Sequence, residues 1–327
     1  MAIQLLNLGA EPTPTTLGGE GGDNYREAHT KINANFNYVD DKLTAINTEL
    51  NDKQTAINAL LTYTNSLEDR LYQLTPFTSY HLFRDSTVSG VWYDPSDKST
   101  LFQDAARTIP VTKSGDPVRV MLDKSGNGNH AIAPSSAARP IYRTDGILHW
   151  LEPDGVDDYF DSISLVPYVG GDFFISTAMA ITGGQSSGGL WRFLREGGSA
   201  TAASDNYLES YSFSPYTAKR VFQRYPSSII FYDNSSARPA SSTNHISWLS
   251  NNAIGAKTQV MPTQPNPIDL GVKNLASGNA TLSLFRGYGG QFMKGRFYGF
   301  VWVSGDVEPV ARDKANAYLA AKAGVTI

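Results

Sequence analysis

The apolar and polar positions of the chain follow two different periods, and the change between them comes at Pro76. From Asp23 to Thr75 there is neither Gly nor Pro, whereas the motif LGGEGGD stands before this stretch. Alternating steps of four and three residues from Ile32 to Leu74 reach thirteen positions, of which eleven are apolar. A spacing that averages about 3.5 residues is typical of the a and d positions of a coiled coil. The pattern predicts one long helix that packs on copies of itself.

The eleven apolar positions are the predicted oligomer interface. They are Ile32, Phe36, Val39, Leu43, Ile46, Leu50, Ile57, Leu60, Leu67, Leu71 and Leu74. β-Branched residues occupy d positions in the first half, which favours trimers or tetramers over dimers. The two polar positions of the stripe, Lys53 and Thr64, are expected to restrict the alignment of the helices. The alternative is an antiparallel helical hairpin, although the stripe contains no turn signal.

After Pro76 the sequence changes to short runs of period two that are separated by Gly-rich turns. Val118, Val120 and Leu122 form one such run, and Ile246 and Trp248 belong to another. This pattern predicts an antiparallel β-sandwich or barrel in place of a parallel α/β sheet. The fold class is therefore expected to be mainly β, with a long helix before the sandwich.

Two further elements are predicted near the C-terminus. Residues 295–303 are apolar on both faces, as in a buried central strand. A short helix should follow, with Pro309 in its first turn and Gly324 after its last. We expect this helix to pack across the edge of the sandwich.

Composition limits the function classes. The chain has 327 residues, no cysteine and a formal net charge of -4, so it offers no disulfide, no thiol nucleophile and no basic surface for nucleic acid or an anionic membrane. The N-terminus lacks the pattern of a secretory signal peptide, and no run of residues is long and apolar enough for a membrane span. A protein that is made without export is expected, with no cofactor.

Several motifs resemble a known family. The segment GDNYREAHTKINANF (22–36) is similar to one near the N-terminus of tailed-phage fibre and spike proteins. WYDPSDKSTLFQDAARTIPVTKSGDPVRVMLDKSGNGNHA (92–131), DGILHWLEPDGVDDYF (145–160) and the terminal YLAAKAGVTI resemble concanavalin A-like, laminin-G-type domains of phage virion proteins. The resemblance touches most of the chain outside residues 165–280.

The resemblance implies a homotrimer on the surface of a phage particle, assembled in the host cytoplasm. Residues 1–23 would anchor it, with contacts to other virion proteins through residues 1–30. Residues 24–76 would form a trimeric coiled-coil stem. Residues 77–327 would form a concanavalin A-like, jelly-roll head with a short C-terminal helix.

The middle of the head carries the candidate glycan-binding residues. They are Tyr207, Tyr211, Tyr216, Arg220, Arg224 and Tyr225. Aromatic faces stack on sugar rings and arginine donates to hydroxyl or carboxylate oxygens. The alternative is that these aromatic side chains fill the sandwich core.

Two acidic motifs have both a structural and a chemical interpretation. DKSGNGNHA (123–131) begins like a calcium loop, but Pro134 stands where such a loop has its bidentate Glu, so a Gly-Asn hairpin turn is the favoured interpretation and no metal is assigned. EPDGVD (152–157) has the outline of a glucanase acid motif, but Pro153 and Gly155 favour a turn. No catalytic residue is therefore assigned.

The sequence thus predicts a fibre protein that is not an enzyme and that contacts a host-surface glycan or receptor. One alternative is a structural connector or decoration fibre of the particle. A second alternative is a polysaccharide depolymerase that uses carboxylates among Glu152, Asp154, Glu196 and Glu209.

Overall fold

The structure is a computed structural model. It describes residues 21–83, 88–163, 166–168, 172–184, 187–195, 207–213, 221–224, 229–232, 244–252, 255–261, 268–271, 278–287 and 290–327. The chain divides into two compact units, one ending at Thr75 and the other spanning Pro76–Ile327. No described helix is both long and apolar enough to cross a lipid bilayer.

The first unit contains one long helix, α1 (Gly21–Leu74), of 54 residues. At 1.5 Å per residue this helix is about 80 Å long. It begins two residues before the predicted start, and it ends beside the Pro76 that closes the pattern. Pairs of side chains four residues apart stabilise the helix, as in the ion pair of 2.6 Å between Lys31 and Glu27. The prediction of one long N-terminal helix is confirmed.

The second unit is built mainly of strands. Its helices are α2 (Tyr80–Phe83) and α3 (Pro309–Ala323), and a 3-10 turn spans Lys98–Thr100. The strands of the described part are, in chain order, β1 (Gly90–Tyr93), β2 (Leu101–Phe102), β3 (Val120–Met121), β4 (Ala131–Ile132), β5 (Ile141–Thr144), β6 (His149–Glu152), β7 (Phe160–Ser162), β8 (Val166–Tyr168), β9 (Phe173–Gly184), β10 (Ser187–Arg195), β11 (Tyr207–Phe213), β12 (Val221–Arg224), β13 (Ile229–Tyr232), β14 (His245–Asn252), β15 (Gly255–Met261), β16 (Ile268–Gly271), β17 (Gly278–Leu284) and β18 (Met293–Ser304).

These strands form two sheets. The eight-stranded sheet has the order β16-β15-β14-β9-β18-β6-β5, and β1 also pairs with β18. The ten-stranded sheet has the order β13-β12-β11-β10-β17-β7-β4-β3-β2, and β8 also pairs with β17. Every strand pairing among the described residues is antiparallel. A mainly β, antiparallel fold is therefore confirmed.

The two sheets pack face to face around an aromatic core. Phe193 of the ten-stranded sheet lies 5.1 Å from Trp302 of the eight-stranded sheet, measured between ring centroids. Trp191 and Phe300 make a second contact of the same kind at 6.4 Å. All four side chains are buried. Aromatic side chains of this size supply much of the apolar area that holds a sandwich together.

Strand β18 is central, as its sequence predicts, because it pairs with β9 on one side and with both β1 and β6 on the other. It is apolar on both faces for a physical reason. One face lies in the core and the other lies under α3, where the Cβ of a residue larger than Gly299 would come within 2.8 Å of Leu319 Cδ2. Glycine at this position lets helix and strand approach closely.

The position of α3 corrects one prediction. The helix has Pro309 in its first turn and Gly324 after its last residue, as predicted, and the φ of 65° at Gly324 is left-handed. It does not cross the edge of the sandwich, however. It packs on the outer face of the eight-stranded sheet, against β9, β14 and β18. Buried Asn316 fixes this docking by accepting a hydrogen bond of 2.7 Å from Ser176 Oγ of β9.

Candidate functional site

The apolar stripe of α1 is exposed in the single chain. All eleven predicted interface residues are exposed, with exposed fractions from 38% at Leu43 to 81% at Leu74. Leu61 and Tyr63, which flank the stripe beside Thr64, are also exposed, at 57% and 60%. A contiguous apolar surface of this extent is characteristic of an interaction site.

The two polar positions of the stripe already have partners on their own helix. Lys53 Nζ lies 2.7 Å from Glu49 Oε1, and Thr64 Oγ1 donates a hydrogen bond of 2.9 Å to the carbonyl oxygen of Leu60. The expectation that these residues restrict the alignment of the helices stays a prediction.

The predicted glycan-binding residues fall in the part of the head where few side chains are described. Tyr207 and Tyr211 are on β11 and Arg224 ends β12, but only the backbone is described there. Tyr216, Arg220 and Tyr225 lie outside the described residues. Their proposed role stays a prediction.

The DKSGNGNHA segment joins the antiparallel strands β3 and β4, as predicted, but residues 122–130 form a longer loop in place of a tight Gly-Asn turn. Asp123 organises it. Its carboxylate accepts hydrogen bonds from the backbone N–H groups of Trp92, Ser125 and Asn129 at 2.9 to 3.0 Å, and from Ser125 Oγ at 2.7 Å. Because donors of the protein surround both of its oxygens, Asp123 joins the turn to β1.

The EPDGVD segment also forms a turn, and it gathers three carboxylates. Oxygen atoms of Asp154, Asp157 and Asp158 lie within 4.8 Å of one another. Asp158 is buried and accepts a hydrogen bond of 2.9 Å from the N–H of Asp154. Burial, together with the charges of the other two carboxylates, raises the pKa of Asp158 to about 7. The turn therefore places Asp158, which its pKa of about 7 keeps partly protonated near neutral pH, beside two further carboxyl groups.

The other acids considered for catalysis do not join this group. Glu152 forms an ion pair of 2.6 Å with Arg143 on the neighbouring strand. Glu209 is on β11, where side chains are not described, and Glu196 lies outside the described residues. Among the side chains that the structure describes, Asp154 is grouped with Asp157 and Asp158.

A polar cluster that the sequence did not predict joins the end of β1 to α3. Asp94 is 2% exposed, and its carboxylate accepts hydrogen bonds from Ser96 Oγ at 2.7 Å and from the Tyr318 hydroxyl. Lys124 and Lys322 place their Nζ atoms 3.3 and 3.8 Å from the same carboxylate. Burial alone would raise the pKa of Asp94, but these hydrogen bonds and charges outweigh it and hold the pKa below its ordinary value.

A groove of about 410 Å³ lies next to this cluster. It is lined by Ser96 after β1, by Ile147 and His149 of the β5–β6 hairpin, and by Ala321 and Lys322 of the last turn of α3. These elements meet because β1 and β6 pair with the same side of β18. Sequence reasoning missed the groove, since its walls come from segments up to 226 residues apart.

No protein-family model matches the chain, and no curated protein matches it either. Solved structures are similar to parts of the chain at low sequence identity. Domain 4 of an extracellular arabinanase from Geobacillus stearothermophilus, in complex with arabinotriose, has a TM-score of 0.47 at 10% identity, covering 70% of this chain and 98% of that one. An arabinofuranosidase has a TM-score of 0.43 at 12% identity, covering 63% and 50%. A Trypanosoma rangeli sialidase has a TM-score of 0.43 at 11% identity, covering 68% and 32%.

These matches correct one prediction. The expectation that the chain is not an enzyme is contradicted, because the matching structures are of proteins named as an arabinofuranosidase, an arabinanase and a sialidase. The chain spans only half of the arabinofuranosidase and about a third of the sialidase. At this identity the likeness is one of fold, and the named activities belong to those proteins.

Proposed function

We propose that the chain is the subunit of a homotrimeric fibre on the surface of a tailed-phage particle, and that its concanavalin A-like head contacts carbohydrate on the host cell. The observation that carries this proposal is the stripe of eleven exposed apolar residues on α1. The resemblance of residues 22–36 to phage fibre proteins agrees with it. The anchor in residues 1–23 and the jelly-roll topology of the head belong to the same proposal.

The apolar stripe of α1 packs against the α1 helices of two further copies of the chain. A helix of 54 residues is much longer than one that covers a small core, and its 3.5-residue spacing is that of a supercoil. Moving a half-exposed Leu or Ile into such a seam contributes about 1 kcal/mol, so the stripe contributes on the order of 10 kcal/mol for each chain. β-Branched Val39 and Ile46 at d positions favour three strands over two.

Three heads on one stem bind a host surface more tightly than one head does, even if each carbohydrate site is weak. Once one head is bound, the others meet the same surface at a high effective concentration, which raises avidity on the order of a hundredfold or more. The stem therefore contributes to attachment as well as to assembly.

The test compares two substitutions two residues apart on α1. Ile46→Asp places a charge in the stripe, whereas Thr48→Asp places the same charge on the opposite face. Binding of the full chain to immobilised capsule and lipopolysaccharide preparations is measured by biolayer interferometry. We expect Ile46→Asp to lose avidity about a hundredfold and Thr48→Asp to keep it. A wild-type trimer that binds none of these surfaces contradicts the host-binding role and favours a connector.

The acidic turn favours a second candidate function, the cleavage of the bound glycan. Glycoside hydrolysis needs one protonated and one ionised carboxyl group, about 5 Å apart in retaining enzymes. Asp158, with its pKa of about 7, can supply the protonated group, and a carboxylate oxygen of the exposed Asp154 lies within 4.8 Å of it. Release of new reducing ends from the polysaccharides, abolished by Asp154→Asn, would support it. If polysaccharide incubated with the wild-type chain gains no reducing ends, this candidate is rejected.

A further inference from the structure

We propose that the groove between the end of β1, the β5–β6 hairpin and the last turn of α3 binds a sugar that carries a carboxylate, such as a hexuronic acid. This inference rests on the proposed function and names both a site and a ligand class for the head. The groove lies outside the predicted glycan-binding residues 207–225. Its volume of about 410 Å³ is within the range of small-ligand sites.

One wall of the groove is held rigidly by buried Asp94. The Asp94 carboxylate fixes Ser96 through the backbone N–H at 2.9 Å and through Oγ at 2.7 Å. Ser96 Oγ in turn accepts a hydrogen bond of 2.7 Å from Lys322 Nζ. Lys322 also lies 4.9 Å from the centre of the Tyr318 ring. The ammonium group is therefore positioned before any ligand arrives, which reduces the entropy lost on binding.

The opposite wall contributes a second polar group. The Tyr142 hydroxyl lies 2.6 Å from His149 Nδ1, and Tyr142 is 1% exposed. This hydrogen bond occupies Nδ1, whichever of the two atoms donates. Nε2 is therefore the ring nitrogen of His149 that remains for a ligand in the groove.

The ammonium group of Lys322 favours an anionic ligand. Lys322 has N–H groups beyond the one that bonds Ser96, whereas the Ser96 hydroxyl proton is already donated to Asp94. Asp94 and Asp97 face Lys124 and Lys322, so the charges of the two aspartates are compensated. A ligand carboxylate can therefore accept a charge-assisted hydrogen bond from Lys322.

The remaining surface of the groove is apolar and fits a sugar ring. Ile147 at the tip of the hairpin is 85% exposed, and exposed Ala321 faces the groove from α3. Sugar rings present C–H groups on one face, which pack on aliphatic side chains, while polar groups at the ring edge fix orientation. The combination of the Lys322 ammonium group with an aliphatic wall therefore selects a carboxylated sugar over a simple anion.

The experiment is saturation-transfer difference NMR on the full chain with sodium glucuronate and sodium galacturonate. Glucose, galactose and acetate are the control ligands. We expect a signal from at least one uronate that is at least fivefold stronger than that from glucose, galactose or acetate. Equal signals from uronates and neutral sugars overturn the assignment of a carboxylate.

Two substitutions test whether uronate binds in the groove. Neither changes a residue of the buried cluster around Asp94. Ile147→Glu adds a negative charge to the wall, and Ala321→Phe fills the groove from an exposed position. Both are expected to lower uronate binding at least fivefold. Ile163→Glu is the matched control, because Ile163 is also exposed, at 51%, and does not line the groove; it should bind as the wild type does.

The outcomes separate this inference from the proposed function. If both groove variants bind uronate as the wild type does, the groove is not the site. If they are also trimeric and bind the polysaccharides with unchanged avidity, the proposed function stands while the inference fails. If the wild-type chain binds no polysaccharide and no uronate, both fail.

Discussion

Replacement of Asp158 by Asn removes a buried carboxyl group whose ionisation opposes folding. The pKa of this group is raised from 3.8 to about 7, mainly by burial and also by the charges of Asp154 and Asp157. The folded chain therefore binds more protons than the unfolded chain between about pH 4 and pH 7, so the free energy of unfolding falls as the pH rises through this window. The asparagine side chain can still accept the hydrogen bond from the Asp154 N–H.

The size of the change in the free energy of unfolding follows from the pKa shift of Asp158. Three pKa units correspond to about 4 kcal/mol, and solvent around the neighbouring exposed Asp154 reduces this to roughly 2 kcal/mol. Asp158→Asn should match the wild type near pH 4 and be more stable at pH 8 by that amount. For a head of this size the melting temperature at pH 8 should rise by about 4 to 8 °C.

The assay is thermal unfolding followed by near-UV circular dichroism at pH 4 and pH 8, at one fixed protein concentration. Asp145→Asn serves as a control of opposite sign, because backbone hydrogen bonds from Leu148 and Ile147 lower the pKa of Asp145. Asp145→Asn should be less stable than the wild type at pH 8, and this difference should be smaller at low pH. The reasoning is refuted if Asp158→Asn melts lower than the wild type at pH 8, or is stabilised equally at both pH values.

Three other substitutions test separate parts of the fold. Asp123→Asn keeps one acceptor oxygen and leaves a buried N–H unpaired. Urea denaturation should therefore show that the free energy of unfolding falls by about 2 kcal/mol. An unchanged value would mean that the turn does not depend on the carboxylate. Gly295→Ala would bring a Cβ within 2.1 Å of the Ala180 carbonyl oxygen, and about 3 kcal/mol or more should be lost, since the obstacle is backbone. Tyr318→Phe removes the hydroxyl that bonds Asp94 and should cost about 1 to 2 kcal/mol by the same assay, whereas an unchanged midpoint would contradict the role of this bond in docking α3.

The sequence predicted the elements whose signals are local. The start and end of α1 follow from Gly and Pro around an uninterrupted stretch, and α3 follows from Pro309 and Gly324. The chain reversal at Asp123 was predicted for the same reason, because Asp, Asn and Gly favour a turn within a few residues. The strand at 295–303 was recognisable because both of its faces are apolar.

What the sequence could not supply was the placement of these elements on one another. An apolar helix face shows that α3 is buried but does not show which surface covers it, and the prediction of the sandwich edge was wrong for that reason. The contact of Asp94 with Tyr318 joins residues 224 positions apart and has no local signal. The pair of Tyr142 and His149 is different. These residues lie on the same side of one hairpin, so alternation along β5 and β6 could have found them.

The most direct test of the account is the molar mass of the purified full-length chain at micromolar concentration, measured by sedimentation equilibrium. The account predicts a single species of about 107 kDa, three times the 35.6 kDa of one chain. A species of one-chain mass would contradict it, because no partner copy would then pack on the apolar stripe of α1.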